Sequence, residues 1–382
     1  MKIVIASDSF KGSMTSIEVA KAAKQGILQA VPDCEVVAVN VADGGEGTVE
    51  AIVEALGGKI VVAQVGDPLG RPIAARYGIA GSTAIIEMAA ASGLPLLKAE
   101  ERNPWFTSTY GTGEMIMDAI SRGCSQFLVG IGGSATNDAG TGMLQALGFR
   151  FYDIDDKQIE RCCGGRLQDI VRIDDTQVPA EVKNSIFTVA CDVDTPFCGP
   201  EGAAPVFAPQ KGADAEMVNR LDTGMASLAK VIADKYALNV VPVAGAGAAG
   251  GMGGAFYAFL HANLKKGIDM VLDAIDFDTT IQGADLVITG EGKVDFQTAK
   301  GKTAAGVLGR AKKQHIPVIA IGGCVEMCDT LLQMGFAGIY PILEEEVPLE
   351  VAMQRDFAMS NVTKTVAKYL RKDRSLMSLF PT

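Results

Sequence analysis

The chain has 382 residues, a formal net charge of −11, and 48% hydrophobic against 21% charged residues. This composition is typical of a folded globular protein and excludes a disordered chain, and the length exceeds what one hydrophobic core usually serves. The acidic balance argues against nucleic acid or a membrane surface as the main partner, but it does not exclude anionic small molecules, which experience only the local field of their pocket.

The N-terminus and the cysteines predict a cytoplasmic protein. The apolar run in MKIVIASDSF is only a few residues long, whereas a secretory signal needs roughly 7–15, so a first strand is predicted here. None of the eight cysteines forms a C-x-x-C pair, and only two histidines are present. Reduced thiols and no zinc site are therefore expected. Residues 236–264 carry no formal charge, but Pro242 and many glycines favour a buried loop-to-helix segment over a membrane span.

The first sixty residues predict strand, helix, strand and helix in that order. KIVIAS is rich in β-formers, and Thr15 and Glu18 have the spacing of a capping box at the start of the first helix. EVVAVNVA and TVEAIVEAL then predict the second strand and helix. Apolar strands separated by helices are typical of a parallel sheet covered on both faces.

The pattern changes after residue 59. Three strand-like runs between residues 59 and 93 predict an antiparallel meander, followed by helices near 114–122 and 217–235. Alternation of strand and helix returns at ADLVITG and continues to about residue 371. The predicted fold class is α/β: a doubly wound parallel-sheet domain (residues 1–60 and 284–382) interrupted by an inserted α/β domain with a mixed sheet (residues 61–283).

Glycine-rich polar segments follow the predicted strands, at the end where open parallel sheets bind ligands. Turn chemistry and helix capping explain any one of these segments, but together they predict a site that binds an anion. The five segments are SDSFKGS (7–13), ADGGEGT (42–48), GSATNDAGTG (133–142), CDVDTPF (191–197) and EGKVDFQTAKGK (291–302).

The residue types in these segments suggest phosphoryl transfer. They contain four lysines, Lys11, Lys293, Lys300 and Lys302, and eight carboxylates, Asp8, Asp43, Glu46, Asp138, Asp192, Asp194, Glu291 and Asp295. Oxygen ligands without a histidine or cysteine cluster suit Mg²⁺, which shares its coordination with phosphates. Phosphoryl transfer requires positioning, charge neutralisation and a carboxylate that accepts the hydroxyl proton.

Two phosphate-binding motifs leave alternatives open. GKT (301–303) is not a P-loop, because Phe296 stands where the first glycine is required. GAGAAG (245–250) fits G-x-G-x-x-G, but Pro242 disfavours a central strand before it. A dinucleotide site, close glycine–alanine helix packing and a phosphate-facing loop are the alternatives. The rival functions are therefore an NAD-dependent hydroxy-acid oxidoreductase and a non-catalytic small-anion binding protein.

Seven segments, in order along nearly the whole chain, resemble the bacterial glycerate kinases of the two-domain, glycerate 2-kinase-like type. They are DSFKGS, VADGGEGT, IEMAAASGL, STYGTGE, GIGGSATNDAGTGM, GAGAAGGMGG and TGEGKVDFQTAKGK. The resemblance implies a flavodoxin-like domain interrupted by a second α/β domain, with the site in the cleft between them. It also implies a phosphotransferase that uses ATP and Mg²⁺ to phosphorylate an alcohol group of D-glycerate, with 2-phosphoglycerate favoured over 3-phosphoglycerate as product.

The resemblance also suggests a role for each matching residue. Lys11 and Lys293 are expected to contact phosphoryl or carboxylate oxygens, and Asp192 and Asp295 are alternative general bases. Asp43 and Glu291 are expected to hold Mg²⁺. The remaining expected contacts to substrate or phosphate are Asp8, Ser9, Gly44, Gly45, Arg71, Gly132, Gly133, Ser134, Asn137, Asp138 and Lys302.

Three points stay open at this stage. Helix capping is an alternative role for Asp8 and Asp138. For Arg71, the alternative is that it is an exposed arginine in a turn, with no contact to substrate. Which motif binds nucleotide and which binds glycerate is undecided, as is the choice between a monomer and a homodimer.

Overall fold

The computed structural model describes residues 1–45, 47–296, 298–327, 329–343, 345 and 347–372. Its strands are β1 (Lys2–Ser7), β2 (Glu35–Asn40), β3 (Lys59–Gly66), β4 (Pro72–Ala80), β5 (Thr83–Glu87), β6 (Gln126–Gly130), β7 (Arg150–Tyr152), β8 (Arg172–Asp174), β9 (Ile186–Ala190), β10 (Asn263–Lys265), β11 (Leu286–Val294), β12 (Val318–Val325) and β13 (Gly338–Pro341). Its α-helices are α1 (Ser16–Ala30), α2 (Thr48–Ala55), α3 (Ala89–Ser92), α4 (Tyr110–Ser121), α5 (Thr141–Ala146), α6 (Ala180–Lys183), α7 (Ala203–Phe207), α8 (Ala215–Tyr236), α9 (Ala248–Leu260), α10 (Gly267–Ala274), α11 (Phe277–Thr280), α12 (Thr303–Lys313), α13 (Asp329–Met334), α14 (Leu349–Ala352) and α15 (Arg355–Lys372).

The chain divides into two compact units, Met1–Asp43 with Val271–Thr382 (the first unit) and Gly44–Met270 (the second unit). The predicted fold class, an interrupted flavodoxin-like α/β domain with a second α/β domain containing a mixed sheet, is confirmed by the sheets described below. The predicted domain boundaries, and the cleft that the resemblance implies, stay predictions.

The first unit contains a five-stranded, all-parallel sheet in the order β13-β12-β11-β1-β2. From β1 the chain winds through α1 to β2 in one direction, and from β11 it winds through α12 to β12 and β13 in the other. This reversal is that of a doubly wound sheet, and ligands bind beyond the strand ends at such a point. The end of β1 and the end of β11 are therefore the expected place for a site.

Helices α1 and α15 cover one part of this sheet through a continuous apolar core. The predicted capping box at the start of α1 is confirmed: Thr15 accepts a hydrogen bond from the Glu18 N–H, and the Glu18 carboxylate accepts one from the Thr15 N–H. These bonds satisfy backbone donors that have no partner inside the helix.

The second unit is built on a six-stranded mixed sheet in the order β10-β9-β6-β5-β4-β3. The predicted meander is confirmed, because β3, β4 and β5 pair antiparallel, while β5, β6, β9 and β10 pair parallel. Strands β7 and β8 form a separate two-stranded ribbon. Stacked Phe127 and Phe187, with ring centroids 4.7 Å apart, lie in the core between β6, β9 and α9.

The glycine-rich segment before and within α9 supports helix packing over a dinucleotide loop. Residues 239–247 form turns and no strand, and Ala249, Gly250 and Gly251 have left-handed backbone angles. A Cβ on Gly250 would lie 2.2 Å from the Thr136 carbonyl oxygen, so only glycine permits this approach. Within the described part of the chain, no helix is both long and apolar enough to cross a bilayer.

The contact between α1 and α15 makes Gly26 a sensitive position. A Cβ there would lie 2.5 Å from the Thr363 carbonyl oxygen, so Gly26→Ala should lower the free energy of unfolding by about 1–3 kcal/mol through overpacking. Gly309→Ala is the matched control, because Gly309 lies inside α12 with open space around it, and should raise the stability by about 0.5–1 kcal/mol. Urea unfolding of both variants checks this, and equal effects would contradict the packing argument.

Candidate active site

The ends of β1 and β11 border a cavity of about 460 Å³ in the first unit. Most of the site residues predicted from the terminal segments of the chain lie on its wall: Asp8, Ser9, Lys11, Asp43, Glu291, Lys293 and Lys302. The cavity forms at the reversal of the doubly wound sheet, as the strand order requires. The structure therefore brings together residues that are nearly three hundred positions apart in the chain.

Asp8 is buried at the end of β1, 8% exposed, and is held by two donors. Its Oδ1 accepts the Ser9 N–H at 2.6 Å, and its Oδ2 accepts the Thr303 hydroxyl at 2.8 Å. Burial raises the pKa of Asp8, and the neighbouring Asp43 raises it further, against the two hydrogen bonds and Lys11. Thr303, the first residue of α12, therefore orients this carboxylate. Asp8 does not cap α1, the helix that follows it in the chain, because Thr15 has that role.

Glu291, within β11, is 6% exposed and accepts a hydrogen bond from the Thr298 hydroxyl. Burial raises the pKa of Glu291 to about 7, with the Thr298 hydroxyl and Lys302 opposing the rise and Asp8 and Asp295 adding to it. Carboxylates from two strand ends thus interact unfavourably in this cavity, and a bound cation would relieve that repulsion.

Lys293 and Asp295 form an ion pair at the end of β11. The Lys293 ammonium lies 3.4 Å from Asp295 Oδ2 and 2.8 Å from Glu326 Oε1, and its side chain is 50% exposed. The hydrogen bond to Glu326, the largest effect, raises the pKa of Lys293, and Asp295 adds to it. Asp295 itself is 6% exposed, so its carboxylate contacts the lysine and has little access to water.

An apolar wall completes the cavity, and sequence analysis did not predict it. It consists of Phe10, Ile342, Leu343, Val347, Leu349 and Met353. Four of them lie in PILEEEVPLE (341–350), where a run of acidic residues separates them, so neither a strand nor a helix period marks them. Only the return of the chain after β13 brings them next to Phe10.

In the second unit, the loop after β6 presents unpaired backbone donors. Gly132 and Gly133 are exposed, and Gly133 has a φ of +73°, which favours glycine. Among the described residues, the N–H groups of Gly132 and Gly133 have no acceptor, whereas the Gly133 carbonyl accepts the Leu94 N–H. Consecutive free N–H groups in a turn form an anion-binding concavity.

Asp138 shapes this loop from inside the protein and is fully buried. Its Oδ2 accepts the N–H and the hydroxyl of Thr109, both at 2.8 Å, and the Gly142 N–H; its Oδ1 accepts the Gly140 N–H. Burial raises the pKa of Asp138, while these four donors lower it. The contacts correspond to the capping alternative for Asp138, and its predicted contact with substrate is untested.

Lys211 is a second buried ionisable group near this loop, and sequence analysis missed it. Its side chain is 1% exposed, and its ammonium donates to the Ser134 hydroxyl and the Thr136 carbonyl. Lys211 follows Pro209 in a 3₁₀ turn, outside every glycine-rich segment. No sequence signal distinguishes it from a surface lysine.

Two other predicted residues of the second unit have structural partners. Asp192 is exposed, and its Oδ1 accepts the Gly267 N–H at 2.8 Å, at the first turn of α10. Arg71 is 47% exposed and pairs with Asp67 and, at 2.6 Å, with Glu101. Their roles as general base and as carboxylate partner stay predictions.

The other predicted glycine and amide positions are close-packed. A Cβ on Gly44, which has a φ of +90°, would lie 2.8 Å from the Cα of Gly267. Asn137 is fully buried, donates to the Met225 sulfur, and leaves its Oδ1 without a partner in the described structure. Gly45 lies beside Gly44 in the loop before α2. Glu46 and the side chain of Lys300 lie outside the described residues.

The Asp138 network generates a stability prediction. Asp138→Asn replaces one carboxylate oxygen with an amide that cannot accept, so at least one buried donor loses its partner and unfolding should become easier by about 1–3 kcal/mol. Asp214→Asn is the control, because Asp214 caps α8 through the Met217 N–H and asparagine caps equally well, within about 0.5 kcal/mol. Denaturant unfolding measures both, and an Asp138 variant as stable as the control would contradict this reading.

Comparison with known proteins identifies the family to which these features belong. The glycerate kinase family model matches residues 3–372. The chain is 45% identical to a glycerate kinase of Bacillus subtilis (strain 168), over 93% of each chain, and 44% identical to a glycerate 2-kinase of Escherichia coli (strain K12), over 97% of this chain and 99% of the other. It superposes with a TM-score of 0.90 on the crystal structure of a candidate glycerate kinase 2 from Salmonella typhimurium LT2, at 43% identity and covering 99% of both chains. The resemblance seen in the sequence is thereby confirmed: the chain belongs to the glycerate kinase family, and so to the phosphotransferases with an alcohol group as acceptor.

Proposed function

We propose that this protein transfers the terminal phosphoryl group of ATP to the 2-hydroxyl of D-glycerate, with Mg²⁺, and produces 2-phosphoglycerate. The observation that carries the proposal is the cavity at the sheet reversal, where lysines and carboxylates gather, in a chain of the glycerate kinase family. The similarity to the Escherichia coli glycerate 2-kinase favours the 2-hydroxyl over the 3-hydroxyl.

The cavity of the first unit suits the nucleotide. Its apolar side, with Phe10, Leu343 and Met353, has the character of a wall for a planar base, and its polar side carries Lys11 and Lys302 for phosphate oxygens. Three lysines and three carboxylates line this cavity, whereas acidic residues outnumber basic ones in the chain as a whole, so the lysines offset local negative charge that would repel a polyphosphate. We therefore assign ATP to this cavity.

The carboxylates of this cavity fit a magnesium ion carried by the nucleotide. Asp43 and Glu291 would hold it, directly or through water, next to Asp8. The described residues contain no preassembled group of three metal ligands, and Mg²⁺ bound with ATP needs only one or two carboxylates because phosphates and water supply the rest. The mutual repulsion that raises the pKa values of Asp8 and Glu291 is the feature that a divalent cation would offset. When bound, the ion neutralises charge on the transferred phosphoryl group.

The remaining residues supply the acceptor site and the base. We assign the free N–H groups of Gly132 and Gly133 to an anionic group of the substrates, because successive backbone N–H groups in a turn bind anions. Asp295 and Asp192 are the candidates for the carboxylate that accepts the hydroxyl proton. Asp295 is the better supported, since its ion pair with Lys293 orients it at the edge of the ATP cavity.

The product decides the proposed function. Incubation of the protein with ATP, Mg²⁺ and D-glycerate should produce ADP and a new phosphorus NMR signal, split by the single C2 proton, of 2-phosphoglycerate. A signal coupled to the two C3 protons would instead indicate 3-phosphoglycerate. ADP release that does not depend on glycerate, or no release at all, would refute the kinase assignment, and reduction of NAD by hydroxy acids would support the oxidoreductase.

The Lys293–Asp295 pair generates a kinetic prediction. Lys293→Ala and Asp295→Asn should each lower kcat at least about 10²-fold with the fold intact, as loss of a charged transition-state contact does. Glu326→Gln is the matched control, because Glu326 is a 59% exposed partner of the same ammonium and should change kcat less than about threefold. Asp192→Asn, assayed alongside, separates the two candidate bases. A near-normal kcat in Lys293→Ala or in Asp295→Asn would exclude that residue from the mechanism.

A further inference from the structure

Lys211 is a buried cation whose partners are neutral. Its ammonium donates to the Ser134 hydroxyl at 2.8 Å and to the Thr136 carbonyl at 2.6 Å, and within the described structure it forms no ion pair. Lysine is almost never fully buried without a partner of opposite charge, because the cost of desolvation is large. The Asp138 carboxylate interacts with Lys211 electrostatically, but its hydrogen bonds go to other donors, so a ligand could supply the negative charge that Lys211 does not contact directly.

The place for that ligand is the loop after β6, because its Ser134 hydroxyl accepts a hydrogen bond from the ammonium. The loop tip consists of exposed Gly132 and Gly133, and the next residue, Ser134, connects the tip to Lys211 through its hydroxyl. The N–H groups of Gly132 and Gly133 at this tip have no acceptor among the described residues. Free backbone donors on the outside and a buried ammonium behind them are two independent features that favour an anion at the same loop.

We propose that Lys211 is a positioning residue that completes this anion site through Ser134, and that binding of a carboxylate or phosphate anion to the loop is coupled to proton uptake by Lys211. The inference rests on the proposed function in one respect: the anion is taken to be a carboxylate or phosphate group of a kinase substrate. It adds a residue, and a pH dependence, to the binding of that substrate.

The surroundings of Lys211 determine the direction of the coupling. Burial lowers the pKa of Lys211 to about 7, and the electrostatic interaction with the Asp138 carboxylate opposes the shift. Asp138 is already satisfied by four donors on its own loop and on Thr109. Beyond Asp138 lie the thiols of Cys162 and Cys163, whose pKa values burial raises, so they carry no charge that competes.

The sign follows from linkage. At pH 8 the free protein holds Lys211 largely as the neutral amine, whereas a bound anion favours the ammonium and raises its pKa. Binding must therefore take up protons above about pH 7, and the dissociation constant of the anion must rise with pH, by at most about tenfold per pH unit for one proton.

Calorimetry measures this directly on the full chain. D-glycerate alone, and a non-hydrolysable ATP analogue with Mg²⁺ alone, are titrated at pH 8 in two buffers that differ in ionisation enthalpy. We expect proton uptake with one of the two probes, and that probe identifies whether a carboxylate or a phosphate occupies the loop. Wild-type protein that takes up no protons with either probe would overturn the proposal.

Variants separate positioning from a general structural role. Lys211→Met retains the apolar stem and removes the charge. It should raise the dissociation constant of the probe that takes up protons at least about tenfold and abolish that proton uptake. In turnover, KM for the corresponding substrate should rise, while kcat changes less than about threefold. Lys230→Met, at an exposed position of α8, is the matched control and should bind and take up protons as wild type does. Unaltered proton uptake in Lys211→Met would contradict the proposal.

Ser134→Ala covers the case in which Lys211→Met does not fold. It removes the hydroxyl that connects the ammonium to the loop tip, so it should weaken the same probe and shift the pH at which affinity is lost. An unchanged pH dependence would overturn the proposal. The glycerate-dependent ADP release of the wild-type protein is measured separately, so its absence would count against the kinase assignment, whereas turnover without proton uptake would count only against Lys211.

Discussion

Charged groups held away from water, in or next to the loops that follow parallel strands, are the constraint on which both polar sites of this protein depend. Asp8, Glu291 and Asp138 are each less than a tenth exposed, and so is Lys211. An isolated buried charge is costly, so each must receive partners from the surrounding backbone and side chains. The positions of those partners determine how the loops beyond the strands are shaped.

The partners share a chemical property, since each buried charge contacts a threonine or serine hydroxyl. Thr303 donates to Asp8, Thr298 to Glu291, Thr109 to Asp138, and Ser134 accepts from Lys211. A hydroxyl stabilises a charge without neutralising it, unlike an opposite charge in a salt bridge. The field of each group therefore remains available to a ligand, which suits a protein whose proposed substrates are ions.

Strands and helices were largely predictable because their signals are local. The alternation of apolar strands with helices identified the parallel sheet, and the three strand-like runs between residues 59 and 93 identified the antiparallel strands β3, β4 and β5. The glycine-rich segments identified where polar residues follow strands, and many of these residues line one cavity. The motif GAGAAG was ambiguous, because glycine permits both close ligand approach and close packing, and the contact of Gly250 with Thr136 supports packing.

By itself, the sequence determined the fold class, the family resemblance and the segments in which the charged residues lie, because periodicity and motif order are properties of the chain. Only the tertiary structure decided which residues are partners: it paired Arg71 with Glu101, gave the cavity its apolar wall and buried Lys211 beneath Ser134. These contacts join segments remote in the chain. Burial and distance, which set pKa values and ligand sites, depend on how those segments pack, and no local pattern encodes that.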